Sequence, residues 1–308
     1  MKRFPIAITL AVAVCAVTVT MRASQDHSNR GQGLLNAPEP QMAGIHWARD
    51  HAPARPGGGS PNLLYHSGPV MTQGVYVEPI YWGAQWNNPA FTADKMSGLQ
   101  LFYSGFGGSS YGDTNTEYTD SNGHVLNAVA FGVDHVDNSS APRNGNKTSI
   151  ILNEVCSKAT TLVPNGYYPV YVDTPRGHSG YCAWHSAGTC SNGVTVQFAF
   201  FYNLDGDAGC DPEDASTSHT QGLEALANVS GHELSEALTD PHLNAWYDSN
   251  GQENADKCAW SFGTDHLKFS NNSSWKIQGN WSNAAFDGGT GYANRSGQLG
   301  CLDGGNYK

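Results

Sequence analysis

Residues 217–256 read TSHTQGLEALANVSGHELSEALTDPHLNAWYDSNGQENAD, and this stretch dictates the expected centre of the fold. Its first half predicts a helix over residues 217–239, because its apolar side chains recur at helical spacing. These side chains belong to Leu223, Leu226, Val229, Leu234, Ala237 and Leu238. Pro241 disfavours helical geometry at the residue before it, so we expect the helix to end near Asp240. The second half is polar and rich in turn residues, which predicts a loop.

The predicted helix contains the motif His-Glu-x-x-Glu at residues 232–236. Because residues four apart share a helical face, His232 and Glu236 can both point at one cation. Glu233 is placed to hold a water molecule beside that cation. This is the logic of the HExxH zinc helix, in which two histidines bind zinc and the glutamate is the general base. A carboxylate in place of the second histidine is still a competent zinc ligand.

The loop that follows the helix supplies further acidic residues. We expect Glu253 to be the third metal ligand and Asp256 to hold the ligating histidine in orientation. The histidine favours zinc, while calcium is the alternative because several carboxylates are available. A separate calcium candidate is the acidic loop 203–214 (NLDGDAGCDPED), although its spacing departs from that of an EF-hand.

The helix and loop resemble the metal-binding segment of the thermolysin-like metallopeptidases. That family reads H-E-L-T-H-A-V-T-D where this chain reads H-E-L-S-E-A-L-T-D, and a tyrosine follows at the same distance in both. The resemblance implies these roles: metal ligands His232, Glu236 and Glu253, general base Glu233, oxyanion donor Tyr247, and supporting carboxylates Asp256 and Asp240. Glu236 departs from the family's second histidine, and its added negative charge makes a bound metal a weaker Lewis acid.

A second resemblance covers most of the chain. Residues 63–86 (LLYHSGPVMTQGVYVEPIYWGAQW), the Cys182-Ala-Trp-His segment and residues 228–258 are similar to the EXORDIUM-like, or phosphate-induced, proteins. The resemblance implies a secreted or cell-wall protein of a family with no firmly assigned chemistry. The chain resembles a bacterial-type member that keeps the HExxE pattern.

The N-terminal region predicts export. Residues 1–24 are expected to be a signal peptide, because a short positive start precedes an apolar run and small residues. The run is shorter than the roughly 20 residues that span a bilayer, so we expect no membrane span. Residues 25–60 are rich in glycine and proline and predict a disordered leader or linker, with a propeptide as the alternative. Residues 61–308 are expected to form a single secreted domain, extracellular or periplasmic.

The number of cysteines and the net charge indicate a disulfide-bonded protein that does not bind nucleic acid. An even number of cysteines beyond the signal peptide predicts three disulfides; they are Cys156, Cys182, Cys190, Cys210, Cys258 and Cys301. Their pairing stays open, although Cys182 and Cys190 are close enough in sequence to close one loop. The formal net charge of −11 does not favour nucleic acid as a partner.

Segments rich in β-branched and aromatic residues predict the sheet. The expected strands are 74–83, 149–155, 167–173 and 194–204, and residues 92–104 predict a short helix. The expected fold is therefore α+β, with a mainly antiparallel sheet and a central metal-site helix in a loop-rich, disulfide-bonded chain.

Two functional hypotheses follow. The main one is a secreted zinc metallopeptidase, in which Glu233 deprotonates a metal-bound water that attacks a peptide or protein substrate. The distal histidine that such a site uses is open among His178, His185, His219 and His266. The alternative is a non-catalytic extracellular or cell-wall protein that uses the metal ion for stability and binds a glycan or a protein partner.

Overall fold

The computed structural model describes residues 34–51, 61–263 and 266–304. The predicted signal peptide lies outside the described residues. The predicted leader is described only in part, over residues 34–51, and this part contains a strand that pairs with the main sheet. Whether residues 25–60 include a propeptide stays a prediction.

The strands are mostly short, and three long ones form the centre. In chain order they are β1 Ala43–Trp47, β2 Leu64–Tyr65, β3 Val75–Val77, β4 Ile80–Trp82, β5 Thr119–Asp120, β6 Gly123–His124, β7 Val129–Phe131, β8 His135–Asp137, β9 Gly166–Pro175, β10 Tyr181–Thr189, β11 Thr195–Asn203, β12 Trp246–Tyr247, β13 Leu267–Lys268, β14 Ser274–Trp275, β15 Asn280–Trp281, β16 Tyr292–Ala293 and β17 Leu299–Leu302. Strands β9 and β11 confirm the segments predicted at 167–173 and 194–204.

Helices cover less of the chain. They are α1 Pro89–Thr92, α2 Lys95–Phe106, α3 Ser110–Asp113, α4 Thr148–Lys158, α5 Gln221–Thr239 and α6 Asn283–Asp287. Short 3-10 helices occur at Leu34–Asn36, Ala84–Asn87, Thr114–Glu117 and Asp256–Cys258. Among the described residues, no helix is both long enough and apolar enough to cross a membrane.

One eight-stranded sheet dominates the structure. Its order is β1-β10-β11-β9-β3-β7, with β4 beside β9 and β8 beside β4. β10 pairs antiparallel with β1 and β11, whereas the other pairs of this sheet are parallel. The small sheets are all antiparallel. Antiparallel pairs are therefore the majority, which confirms the α+β class, but the parallel centre of the sheet was not predicted.

Helix α5 lies against this sheet and is buried on every side. It packs on β1, β10 and β11 and is covered on another face by α2. Thr220 caps its first turn, because the threonine hydroxyl accepts a hydrogen bond from the Leu223 amide. Every residue from Gly222 to Thr239 is buried. A helix buried all round places its polar residues inside the protein, and the HExxE side chains are among them.

Two segments differ from the sequence expectation. Residues 149–155 were predicted as a strand and instead belong to α4. Their buried side chains, Ile151, Leu152 and Val155, repeat at helical rather than alternating spacing. The segment 74–83 is divided into β3 and β4, because Pro79 has no amide hydrogen for a continuous ladder.

Three disulfides form, which confirms the predicted number. They are Cys156–Cys190, Cys182–Cys210 and Cys258–Cys301. Cys182 and Cys190 do not pair with each other, since they lie near opposite ends of the extended strand β10. Cys258–Cys301 ties the loop that carries the predicted third ligand to β17.

Candidate metal centre

The candidate site forms where α5, β10, β1 and the loop after α5 meet. The side chains brought together are His232, Glu233 and Glu236 from α5, His185 from β10, Glu253 and Asp256 from the loop, and His46 from β1. All of them have side chains that are fully buried except Asp256, which is 14% exposed. The predicted metal residues therefore do converge. Two histidines join them: His185, one of the four candidates for a distal histidine, and His46, which the sequence did not single out.

Glu236 lies at the middle of the group and uses its two oxygens in different directions. Oε1 lies 3.2 Å from Nε2 of His232 and accepts a hydrogen bond of 2.9 Å from the Asp256 amide. Oε2 lies 3.4 Å from Nε2 of His185. The same His185 nitrogen lies 3.2 Å from Oε2 of Glu253. His232 thus contacts Oε1 of Glu236, whereas Glu253 contacts His185, which lies near Oε2 of Glu236. The predicted ligand set, with His232 and Glu253 on one ion, did not anticipate this arrangement.

Two groups of side chains have a geometry suited to a cation. His185, Glu233 and Glu236 each offer a ligand atom within 4.8 Å of the others, and so do His232, Glu236 and Asp256. Two atoms bound at about 2.0–2.1 Å to a tetrahedral zinc ion lie roughly 3.3 Å apart, close to the separations around His185. Within the described residues, neither oxygen of Glu233 makes a hydrogen bond of normal geometry, although the side chain is completely buried.

Burial and mutual repulsion raise the pKa values of two of the acids. Desolvation, with repulsion from Glu236, raises the pKa of Glu233 well above its usual value. The same two causes raise the pKa of Asp256 to about 8. For His185, burial disfavours the charged ring, but attraction to Glu253 and hydrogen bonding with Glu236 prevail and raise its pKa to about 10. Glu233 and Asp256 therefore hold protons more tightly than free acids do, and a bound cation could take the place of those protons.

Gln278 is the partner of His232 on the side away from Glu236. Its amide nitrogen lies 3.0 Å from Nδ1 of His232, and its amide oxygen lies 2.9 Å from Nε2 of His46. Asp256, the predicted partner of His232, instead lies 3.7 Å from Nε2, on the same side as Glu236. Asp256 is thus a neighbour of His232, and its predicted role in orienting that ring stays a prediction.

Strand β1 covers the site. Gly44 sits against the cluster so closely that a Cβ there would stand 1.8 Å from Oε2 of Glu236 and 2.5 Å from Nε2 of His185. The His46 ring packs edge-on against His232, with 4.4 Å between ring centroids. Burial lowers the pKa of His46 well below its usual value, so this ring stays neutral. Within the described residues, Glu233 is fully buried beneath this strand.

Two predicted residues make other contacts. Tyr247 stacks on His66, with 3.6 Å between ring centroids and an angle of 4° between ring planes. Asp240 stabilises the chain beyond α5, since its Oδ1 accepts hydrogen bonds from the amides of Asn244 and Ala245. These contacts give Asp240 a structural task in shaping the turn.

The four histidines considered for a distal catalytic role lie in different places. His185 is in the cluster, whereas His178 is exposed, His219 stacks on Trp275 and His266 pairs with Asp214 at 2.6 Å. His46 and Gln278 were not found from the sequence. Neither lies in a recognisable motif, and only the pairing of β1 with β10 and the folding back of the last third of the chain bring them to α5.

The acidic loop 203–214 does not gather its carboxylates around one point. Asp205 pairs with Lys95, Asp207 forms a two-pronged ion pair with Arg176, and Asp214 pairs with His266. Separate cationic partners explain these aspartates without calcium.

Comparisons with known proteins add one relative. The chain is 23% identical over 226 residues to Protein EXORDIUM-like 5 of Arabidopsis thaliana. The match covers 61% of this chain and 61% of that protein, so the chain spans under two thirds of its relative's length. No family model matches. No solved structure matches either. The similarity and the three disulfides together are consistent with an extracellular protein, and the chain is thus similar to an EXORDIUM-like protein over most of its length.

Proposed function

We propose that this chain is an extracellular EXORDIUM-like protein with a buried divalent metal centre, and that the ion stabilises the fold. The ion would join α5, β10 and the loop after α5. Zinc is the expected ion because imidazole and carboxylate ligands suit it, and calcium is the alternative. A glycan or protein partner at the surface stays a prediction.

The observation that supports a metal is the gathering of four buried acids at one place. Beside two imidazoles lie Glu233, Glu236, Glu253 and Asp256. The raised pKa values of Glu233 and Asp256 mean that protons occupy places where a cation could bind. Buried charges are stable when they are paired or bound to a metal. The Glu233 carboxyl group is buried without a normal hydrogen bond among the described residues, so its oxygens could bind a cation.

The burial of the site beneath β1 supports a structural rather than a catalytic role for the ion. A hydrolase needs a path by which substrate reaches the metal, and here Gly44 lies in direct contact with Glu236 and His185. Glu233 itself is fully buried. The similarity to an EXORDIUM-like protein also agrees with the non-catalytic hypothesis.

Metal analysis tests this proposal. We expect the purified mature protein to retain about one divalent ion per chain after dialysis, and removal of the ion with a chelator to lower the unfolding temperature. An ion present at 100 times its Kd contributes about 2.7 kcal/mol. Glu236→Gln should abolish retention and the chelator response, whereas Glu213→Gln, at an exposed acid, should change neither. A wild-type protein that holds no ion and ignores chelator would overturn the proposal.

Glu233 supports a second candidate, the zinc metallopeptidase. A base beside a metal needs a carboxylate without competing hydrogen bonds, and Glu233 meets this description. In this alternative a bound ion would supply activated water, and Glu233 would accept its proton. Movement of β1 would be required to admit a peptide.

A peptide assay separates the two candidates. The metal-loaded wild type is incubated with a mixture of unstructured peptides, alongside Glu233→Gln. Cleavage by the wild type that Glu233→Gln lacks would support the peptidase. Absence of cleavage by a wild type that holds its ion would support the structural metal.

A further inference from the structure

The position of the ion within the cluster can be inferred from one buried amide. Resting on the proposed metal centre, we propose that the ion binds on the His185 side of Glu236, with Glu233, Glu236 and Glu253 as carboxylate ligands. His232, the histidine of the HExxE motif, is then a positioning residue that holds Glu236 and does not bind the ion.

The orientation of the Gln278 amide is fixed by two backbone groups. Its Oε1 accepts a hydrogen bond of 3.2 Å from the Trp260 amide, and its Nε2 donates one of 2.9 Å to the Ala255 carbonyl. A rotated amide would place N–H against N–H and oxygen against oxygen at these two contacts. Gln278 is fully buried, so water cannot replace the lost bonds. The side chain therefore presents an N–H to Nδ1 of His232.

This N–H decides the tautomer of His232. Nδ1 must accept the hydrogen bond, so the ring carries its proton on Nε2. Nε2–H points between Oε1 of Glu236 at 3.2 Å and Oδ1 of Asp256 at 3.7 Å. A metal ligand needs a lone pair at Nε2, and ligating histidines usually donate their other N–H to an acceptor. Gln278 offers a donor instead, which opposes ligation by His232.

His185 has no such constraint. Its Nε2–H donates to Glu253 here, but its Nδ1 has no hydrogen-bond partner in the described part of the chain. No donor there opposes a proton on Nδ1, which would leave Nε2 a lone pair for an ion that displaces the Nε2 proton. Nε2 faces Oε2 of Glu236 and Oε2 of Glu253 at 3.4 and 3.2 Å. In the part of the chain that the structure describes, Oε2 of Glu236 has no hydrogen bond, whereas Oε1 already accepts one from the Asp256 amide. The oxygen of Glu236 that is still able to bind a cation therefore faces His185.

The inferred ligand set predicts the choice of ion. One imidazole and three carboxylates form a set rich in oxygen, which suits manganese as well as zinc. Both Mn²⁺ and Zn²⁺ should bind, and Mn²⁺ should show a single coordinated imidazole nitrogen.

Three measurements on the full mature chain test the inference. In metal-free protein labelled with ¹⁵N-histidine, the NMR signals of His232, assigned with His232→Gln, should show a proton on Nε2. In the Mn²⁺-loaded protein, pulsed EPR should detect one imidazole nitrogen. His185→Gln should weaken Mn²⁺ binding at least 100-fold, and His232→Gln less than 10-fold.

The outcomes distinguish this inference from the proposed function. Two coordinated imidazoles, or a His232 proton on Nδ1, would overturn the ligand assignment while the metal centre stands. A wild type that binds neither Mn²⁺ nor Zn²⁺ would overturn the metal centre itself. The NMR and EPR measurements use wild-type protein for the decisive reading, so a variant that fails to fold does not leave the question open.

Discussion

Gly44 and Glu236 are in contact although one lies near the N-terminal end of the described chain and the other near the end of α5. A Cβ on Gly44 would stand 1.8 Å from Oε2 of Glu236. The backbone of Gly44 has a φ of +49°, a left-handed conformation that glycine adopts without strain. β1 can therefore cover the candidate metal centre only because residue 44 has no side chain.

This contact predicts the effect of adding one methyl group. Gly44→Ala should destabilise the protein by at least about 2 kcal/mol, because left-handed backbone strain and overpacking against the cluster add together. Metal retention should also fall, since Glu236 or His185 must move. Urea unfolding and metal analysis of the same samples measure the two effects.

Gly177 provides a matched control. Its φ of +59° is similar, but nothing lies within 4 Å of a Cβ built there. Gly177→Ala should therefore show only the backbone cost, about 1 kcal/mol, with metal retention unchanged. Equal losses of stability in the two variants would show that the contact of Gly44 with the cluster has no energetic effect.

Glu154 predicts a pH dependence of stability away from the metal centre. Burial, with hydrogen bonding to Asp137 and repulsion from it, raises the pKa of Glu154 from 4.5 to about 7. The folded state therefore holds the proton more tightly than the unfolded state. Stability should fall as pH rises from 4.5 to about 7 and then level off, by on the order of 1 kcal/mol after allowance for solvent screening.

Glu154→Gln removes this titration. The difference in unfolding free energy between wild type and Glu154→Gln should change across pH 4.5–7. The wild type should lose stability relative to Glu154→Gln as pH rises. Glu213→Gln, at an exposed acid, should run parallel to the wild type. A Glu154→Gln curve that also stays parallel would contradict the raised pKa.

Two of the disulfides are expected to contribute similarly to stability but differently to metal binding. Cys258–Cys301 and Cys156–Cys190 close loops of similar length, with sequence separations of 43 and 34. Paired alanine substitution of either should cost about 4 kcal/mol by the loop-entropy relation. Loss of Cys258–Cys301 should also weaken metal binding, because Cys258 follows the loop that holds Glu253 and Asp256. Loss of Cys156–Cys190 should leave the metal affinity of the folded fraction unchanged, and equal weakening would refute this division.

Asp240 is expected to affect the stability of the protein but not its metal binding. Asp240→Ala removes two hydrogen bonds to the Asn244 and Ala245 amides and should cost about 2–3 kcal/mol. Metal stoichiometry should remain that of the wild type, because these bonds shape the turn after α5 and not the cluster. Loss of the ion in the folded Asp240→Ala variant would restore Asp240 to the role suggested by the thermolysin-like resemblance.

Local sequence patterns predicted the parts of the fold that depend on near neighbours. Helix α5 was predicted because its apolar periodicity extends over several turns, and β9 and β11 because their β-branched and aromatic runs are long. Helix α4 was missed because a short apolar run such as residues 149–155 fits a strand as well as a buried helix. The parallel pairing in the main sheet joins strands distant in sequence, so no local pattern indicates it.

The sequence by itself determined that the chain carries a His-Glu-x-x-Glu helix followed by acidic residues, and that six cysteines are available for three disulfides. Helical spacing fixes which side chains of α5 share a face, because that geometry is local. Only the tertiary structure decided that His185 meets Glu236, that Gln278 holds the tautomer of His232, and that Gly44 closes the site. These contacts join β10, the C-terminal third and β1 to α5, and such long-range packing is set by the whole core.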